Sequence, residues 1–281
     1  MAMRHCTIFI AAILAFSATF AVASPHQKSN NTPQLPADGG FLDINLHNNQ
    51  TLDLFNISTS EFIRVYEEDS STAGFEKINL NGSLYWNKTF SSYGSYLGGK
   101  ILANGTFVVA YCESHQQWSG INVTWYNQTG QEIDSFIQNV GEINCKTSTD
   151  RHGIIIRDDG TIVLAGTFIR TITFGSHSLT SGHYYNHAYS TSGDCKDVYF
   201  VEYNGTDWTW AEKVTGGCGY ISNYNSNLQF LGISDSTNNS FLLTIYGKSG
   251  TYDTCAFSGT KAYTFFIDQN GSCMDEYGPV Y

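Results

Sequence analysis

Beyond a Pro/Asn-rich linker, Ser24–Gly40, the chain consists of short runs rich in Val, Ile, Thr, Tyr, Phe and Trp. No run keeps a helical period. Asn-Gly, Asp-Gly and Gly-rich clusters separate the runs, a pattern that predicts strands joined by tight turns. Four segments resemble one another: Phe75–Trp86, Val123–Gly130, Val198–Trp208 and Tyr263–Gly271. Each reads as an aromatic strand that runs into a polar turn with glycine and on into another strand. A second hairpin precedes each of the last three, over Ile101–Ala110, Ile154–Gly166 and Leu231–Leu243.

Two hairpins per repeat make a four-stranded antiparallel unit, strands A to D, which is the blade of a β-propeller. The expected class is all-β, a propeller-like array of about four blades over Leu52–Phe90, Tyr96–Val140, His152–Val214 and Leu228–Tyr281. A β-sandwich also accommodates many short strands, and the repeat is what separates the two. The turn glycines Gly82, Gly130, Gly205 and Gly271 stand 48, 75 and 66 residues apart, so long insertions are expected. Segment Phe41–His47 alternates apolar and polar, with Phe41, Leu42, Ile44 and Leu46 as its apolar positions, and is a strand in excess of four blades. It either completes the last blade or pairs with the sheet edge of another molecule.

The third repeat carries a more specific pattern. Asp159–Phe168 is a turn-glycine strand ending in Ala165-Gly166, Ile172–Gly175 follows, Asp197 opens the strand to Asn204, and Trp208 and Trp210 precede Gly216-Gly217. This run resembles the bacterial-type (SBBP-like) β-propeller repeat, most clearly over residues 153–217 and in part over 96–141 and 228–275. The resemblance implies an architecture and no catalytic residues, because such repeats share no chemistry.

The N-terminus reads differently. Arg4 precedes an apolar stretch, Ile8–Val22, that ends in Ala21-Val22-Ala23, the layout of a secretory signal cut after Ala23. Residues 41–281 are then the folded domain of an exported protein, with no later apolar stretch of membrane-spanning length. Glycan acceptors agree with export. Asn-x-Ser/Thr occurs at Asn30, Asn49, Asn56, Asn81, Asn87, Asn104, Asn122, Asn127, Asn204, Asn238 and Asn270. That is 11 sites where 22 Asn and 55 Ser plus Thr give about 4 by chance. Propeller topology puts A–B and C–D turns on one face, where Asn81, Asn104, Asn127, Asn204, Asn238 and Asn270 would cluster. Without Cys6, which leaves with the signal, six cysteines remain: Cys112, Cys145, Cys195, Cys218, Cys255 and Cys273. An even number in an exported chain implies disulfides, and sequential pairing is expected among 15 possibilities. Cys112, Cys145, Cys195 and Cys218 are expected on the face opposite the turns, together with the insertion Gly175–Lys196.

Composition narrows the function. With 14 Lys plus Arg against 25 Asp plus Glu, the net charge is −11, and no basic stripe exists to neutralise nucleic-acid phosphates. No nucleophile elbow, zinc-protease helix, P-loop or sialidase-type box occurs. His183 and His187 stand four apart beside Gly182, outside any helix that would align them on a metal. Asp158-Asp159 is a weak calcium candidate that an Asp-Gly turn already explains. The reading that follows has no cofactor and no catalysis. It is a secreted, N-glycosylated structural protein that assembles with copies of itself into a coat, fibre or filament. A monomeric carbohydrate- or protein-binding propeller, using Trp118, Tyr184, Tyr185 and Tyr189 in loops, is the alternative, and a secreted glycoside hydrolase or lyase the third.

Overall fold

The computed structural model describes residues 50–69, 72–90, 94–114, 119–141, 152–186, 191–216 and 228–277. Strands β1 (Gln50–Asn56), β2 (Glu61–Asp69), β3 (Thr72–Asn79) and β4 (Leu84–Thr89) pair in chain order as one antiparallel sheet. Strands β5 (Gly94–Ile101), β6 (Phe107–Ser114), β7 (Ser119–Tyr126) and β8 (Glu132–Gly141) form a second sheet in the same order. In the third, β9 (His152–Ile156) and β10 (Ile162–Phe168) are followed by two small hairpins. These are β11 (Thr171–Phe174) with β12 (His177–Thr180), and β13 (His183–Asn186) with β14 (Thr191–Asp194). Strands β15 (Asp197–Tyr203) and β16 (Trp208–Gly216) then complete that sheet. The fourth comprises β17 (Gln229–Asp235), β18 (Phe241–Tyr252), β19 (Cys255–Ile267) and β20 (Cys273–Tyr277). The pairs Thr215–Thr251 and Gly216–Gly250 join sheets three and four at one corner.

The chain is thus all-β, a propeller-like array of four-stranded antiparallel sheets. The additional strand expected over Phe41–His47 lies outside the described residues.

One turn design recurs. In the turn after β3, Gly82 donates its N–H to Asn79 O (2.8 Å) and Asn79 donates to Ser83 O (2.9 Å). The same two bonds close Leu102–Thr106, Asn127–Gln131, Arg157–Thr161 and Asp268–Ser272. This is a type I turn followed by a left-handed residue, and the glycine φ values of 77° to 89° explain why that residue is glycine in all five.

Neighbouring residues on the interior strands serve different cores. On β6, Phe107 and Val109 pack toward sheet one with Val65 and Phe75, whereas Val108, Ala110 and Cys112 pack toward sheet three. On β10, Ile162 and Leu164 face sheet two, and Val163 and Ala165 face sheet four. On β15, Tyr199 and Val201 take the first direction, Val198 and Phe200 the second. The period of two along a strand therefore builds three inter-sheet cores, and it is why β10 is buried at every position.

The seams are close at the A strands and wide at the D strands. A Cβ on Gly98 of β5 would sit 2.8 Å from Ile154 of β9, and one on Gly153 of β9 would sit 2.8 Å from Phe230 of β17. Tyr96 of β5 donates its hydroxyl proton to Asp53 of β1 (2.8 Å). Farther out, indole rings and inserted hairpins fill the space. Trp86 of β4 stands edge-on to Phe75 and donates Nε1–H to Gln128 O in the next sheet's turn (3.2 Å). Trp210 of β16 makes the equivalent bond to Gln269 O (3.1 Å). The outer seam between sheets two and three holds the β11–β12 hairpin, with Phe174 against Tyr199 and Trp208. In the seam between sheets three and four the filler is the far end of the β18–β19 hairpin. Phe257 and Phe265 would be roughly 26 Å apart along a straight strand. Their ring centroids are 5.7 Å apart, so β19 doubles back, with Gly259 at φ 90° in the bend.

Gly82 and Gly130 separate turn strain from seam packing. Both are left-handed, but an added Cβ meets nothing within 4 Å at Gly82 and the Trp86 ring at 2.7 Å at Gly130. Gly82→Ala should cost about 1–2 kcal/mol in left-handed strain. Gly130→Ala should cost about 1–3 kcal/mol more for displacing the indole. Equal losses in denaturant titrations would show that Trp86 does not hold the seam.

Candidate functional site

Antiparallel order A-B-C-D places the A–B and C–D turns of any sheet at the same end, and bonds between sheets show that the end is shared. Lys100 Nζ pairs with Asp158 Oδ1 in the next A–B turn at 2.9 Å. Arg157 Nη2 donates to Asn239 O in the A–B turn of sheet four at 2.6 Å. The Trp86 and Trp210 bonds join successive C–D turns in the same way. One end of the array is therefore a surface of hairpin tips.

Most of the described acceptors lie there. Asn81, Asn104 and Asn270 hold the third position of the recurrent turn and are exposed. The Oδ1 atoms of Asn81 and Asn104 accept the N–H two residues on (2.9 and 3.0 Å), which leaves Nδ2 pointing outward. Asn127 and Asn204 accept the hydroxyl proton of their own sequon threonines at 2.7 and 2.9 Å. Asn127 is half-buried and its Nδ2 donates to Gln131 Oε1 (3.1 Å), whereas Asn204 is exposed. Asn238, also exposed, takes a left-handed conformation in the short 3-10 turn Thr237–Asn239. Asn56 belongs to this end too, exposed as the last residue of β1 where the chain enters the A–B turn to β2. That turn has no glycine to mark it, so nothing in its residues groups Asn56 with the others.

Two acceptors lie elsewhere. Asn87 is exposed in the middle of β4, the outermost strand of sheet one. Asn122 is half-buried on β7, where its Nδ2 donates to the Tyr111 hydroxyl (2.8 Å) and its Oδ1 accepts from Thr124 (3.0 Å). Asn30 and Asn49 lie outside the described residues, as do Phe41, Leu42, Ile44, Leu46, Trp118 and Tyr189.

Cys255 and Cys273 are bonded, with Cα atoms 6.2 Å apart, and fix the folded-back end of the β18–β19 hairpin to the start of β20. Cys112 and Cys195 are buried and disulfide-bonded. Cys145 and Cys218 lie outside the described residues.

The long insertion departs from expectation. It leaves β10 at the end opposite the tips, but β11 and β12 run back toward them, because the wide outer seam offers an apolar surface for Phe174. Gln138 of β8 donates to Thr173 O (2.8 Å), Lys213 Nζ to Thr180 O, and His177 Nε2 lies 3.1 Å from Trp208 O. Tyr184 and Tyr185, expected in a loop, stand on β13, paired with Gly193 and Ser192 of β14. His183 meets Asp194 (3.1 Å), and Arg170 and then His183 hold the Asp194 carboxyl below the usual carboxylate range. Asp159 caps its own turn by accepting from Thr161 N (2.9 Å). Among the described residues no three His, Cys, Asp or Glu side chains are grouped as a metal site, and no helix is long and apolar enough to cross a membrane.

One polar cleft of about 440 Å³ opens between β16 and the turns of sheet four. Glu212 and Lys213 line one wall, Tyr252 and Asp253 the other, and Asn270 stands on the rim. Burial first, and Asp253 second, raise the Glu212 pKa, so this carboxyl holds its proton to higher pH than a free glutamate.

No protein-family model matches the chain, and no curated protein matches it. Among solved structures it is similar to a protein of unknown function from Bacteroides caccae, at 12% identity over 82% of each chain with a TM-score of 0.33.

The Glu212 shift has a defined sign. A folded-state carboxyl with raised pKa binds more protons than the unfolded one, so stability falls as pH rises through the carboxylate range. Glu212→Gln should raise the melting midpoint at neutral pH by about 1–2 °C and leave it unchanged near pH 3. A gain of the same size at both pH values would mean that the charge is not its source.

Proposed function

We propose that the chain is a secreted, N-glycosylated structural protein that assembles with copies of itself into an extracellular coat, fibre or filament, with no catalytic role. The observation that carries this reading is a separation of surfaces. Exposed sequons gather on the hairpin tips, while apolar strand surface is left open at the end of the stack. Leu243, Ile245 and Phe265 of sheet four are fully buried against sheet three, but Leu242, Tyr246 and Phe266, which point the other way, are only half-buried. Leu231 and Met274 in the same sheet are exposed. Between the sheets, each facing apolar surface is covered by its neighbour, so a further sheet, from a second copy, is the occupant of matching shape for sheet four. Head-to-tail stacking of this kind does not close on itself and grows as a filament. The expected signal cut after Ala23 and the resemblance to SBBP-like repeats of extracellular proteins support the same reading.

The test is made on protein secreted from a eukaryotic host. Sedimentation velocity and electron microscopy should show multimers, and Leu242→Arg should dissolve them without changing the near-ultraviolet circular dichroism. Deleting residues 24–47 asks whether the N-terminal segment also takes part. Glycopeptide mapping should find sugar on Asn81, Asn104, Asn204, Asn238 and Asn270, and none on Asn122, whose amide is held by Tyr111 in the seam. A wild-type chain that stays monomeric at every concentration overturns assembly, and bare turn sequons overturn glycosylation.

A further inference from the structure

Strand β4 is the outer edge of sheet one, and five of its six residues are exposed, among them Leu84 and Tyr85 at 52% and 51%. Its outward N–H and C=O groups form a template for another strand. The outer strands of sheets two and three are partly occupied. Gln138 of β8 reaches β11, and β16 is paired at Thr215–Gly216 with β18. Strand β4 reaches the next sheet through the Trp86 indole bond to Gln128 O, but among the described residues no strand pairs with its outer edge. The strand is also self-complementary. Antiparallel pairing with a second β4 about a centre between Trp86 and Asn87 sets Leu84 against Thr89 and Tyr85 against Lys88. The two lysines are kept apart, and each lies beside a tyrosine ring.

The sequon Asn87-Lys88-Thr89 sits in the middle of this edge, and Asn87 is paired with Glu76 of β3 in an exposed position. In a paired strand the residue opposite Asn87 would have its Cβ within about 5 Å, inside the space swept by an attached sugar. We infer that an N-linked oligosaccharide on Asn87 guards this edge: with the sugar β4 stays unpaired, and without it β4 pairs with β4 of a second copy as a two-fold dimer. The inference rests on the glycosylation part of the proposed function and is independent of stacking on sheet four.

The experiment uses secreted full-length chain carrying Leu242→Arg, so that stacking does not contribute. Asn87→Gln and Thr89→Ala each remove the sequon, and endoglycosidase trimming of the folded protein removes the sugar without a substitution. Thr106→Ala, which removes the Asn104 sequon from a turn, is the control. Sedimentation velocity should show dimerisation at least about tenfold tighter in the three Asn87 arms and unchanged in the control. Glycopeptide mapping of the parent separates the failures. A bare Asn87 in the parent overturns glycosylation at this site and the guard with it. A sugar-bearing Asn87 whose removal leaves the chain folded and monomeric overturns the guard alone. Equal dimerisation in the Thr106→Ala control shows a general loss of sugar shielding and overturns it too.

Discussion

Everything in this array depends on one constraint: each interior strand must be apolar on both sides, because each interior sheet is packed on both sides. A two-layer sheet protein needs one apolar face per sheet and leaves the other to water. Here β6, β10 and β15 divide their residues between two cores by parity, so that Val163 and Leu164, adjacent in the chain, never share a neighbourhood. A one-residue slip in register would exchange the two sets. It would bring the large Tyr199, now against Phe174, into the space that Phe200 fills against Tyr252. Register is thus specified twice over in the middle of the stack and less firmly at its ends.

The second constraint is angular. Sheets that meet closely along their first strands must diverge along their last, and the chain answers with matter of increasing size. Glycines lie at the A strands, aromatic rings along the B and C strands, and tryptophans and whole hairpins at the D strands. This accounts for the two B–C insertions together. The β11–β12 hairpin and the folded-back end of β18–β19 differ in sequence but fill corresponding seams, and the Cys255–Cys273 bond holds the second where pairing over two residues alone would be weak. Polar residues inside the stack follow the same logic. Asp197, at the start of β15, is fully buried but satisfied: it accepts the N–H groups of Gly182 and Gly216 (3.0 and 3.2 Å) and pairs with Lys213 (3.5 Å).

Most of this was legible in the sequence wherever a local rule applied. The recurrent Asn-Gly and Asp-Gly turns announced themselves, since only glycine takes the left-handed position cheaply, and they located the hairpins of sheets two to four. The motif of the third repeat has local causes as well. Gly166 faces the His152 ring, which an added Cβ would meet at 2.1 Å, and Asp197 and Gly216 bond to each other. What the sequence did not carry were facts about the space between sheets. Nothing in Thr171–Thr180 says that a hairpin will turn back into a seam, because the attraction lies in Tyr199 and Trp208, about 30 residues on. The A–B turn at Asn56 was missed for a different reason: it closes through Glu61 O without glycine, so its type left no mark in composition.

The same geometry that packs the seams decides which asparagines are open to sugar. A sequon on a hairpin tip costs the fold nothing, since the tip is solvated on all sides and Asn and Gly are what the turn prefers. A sequon on a strand inside the stack competes with packing, and at Asn122 packing prevails: the amide is bonded to Tyr111, whose ring stacks on Phe90 at 4.3 Å in the seam between sheets one and two. Asn87 is the intermediate case, on a strand but at an open edge, where its amide faces water and any bulk attached to it crowds an incoming strand rather than the fold. Exposure at the tips, engagement in the seam and openness at the edge follow from one antiparallel order repeated along the chain.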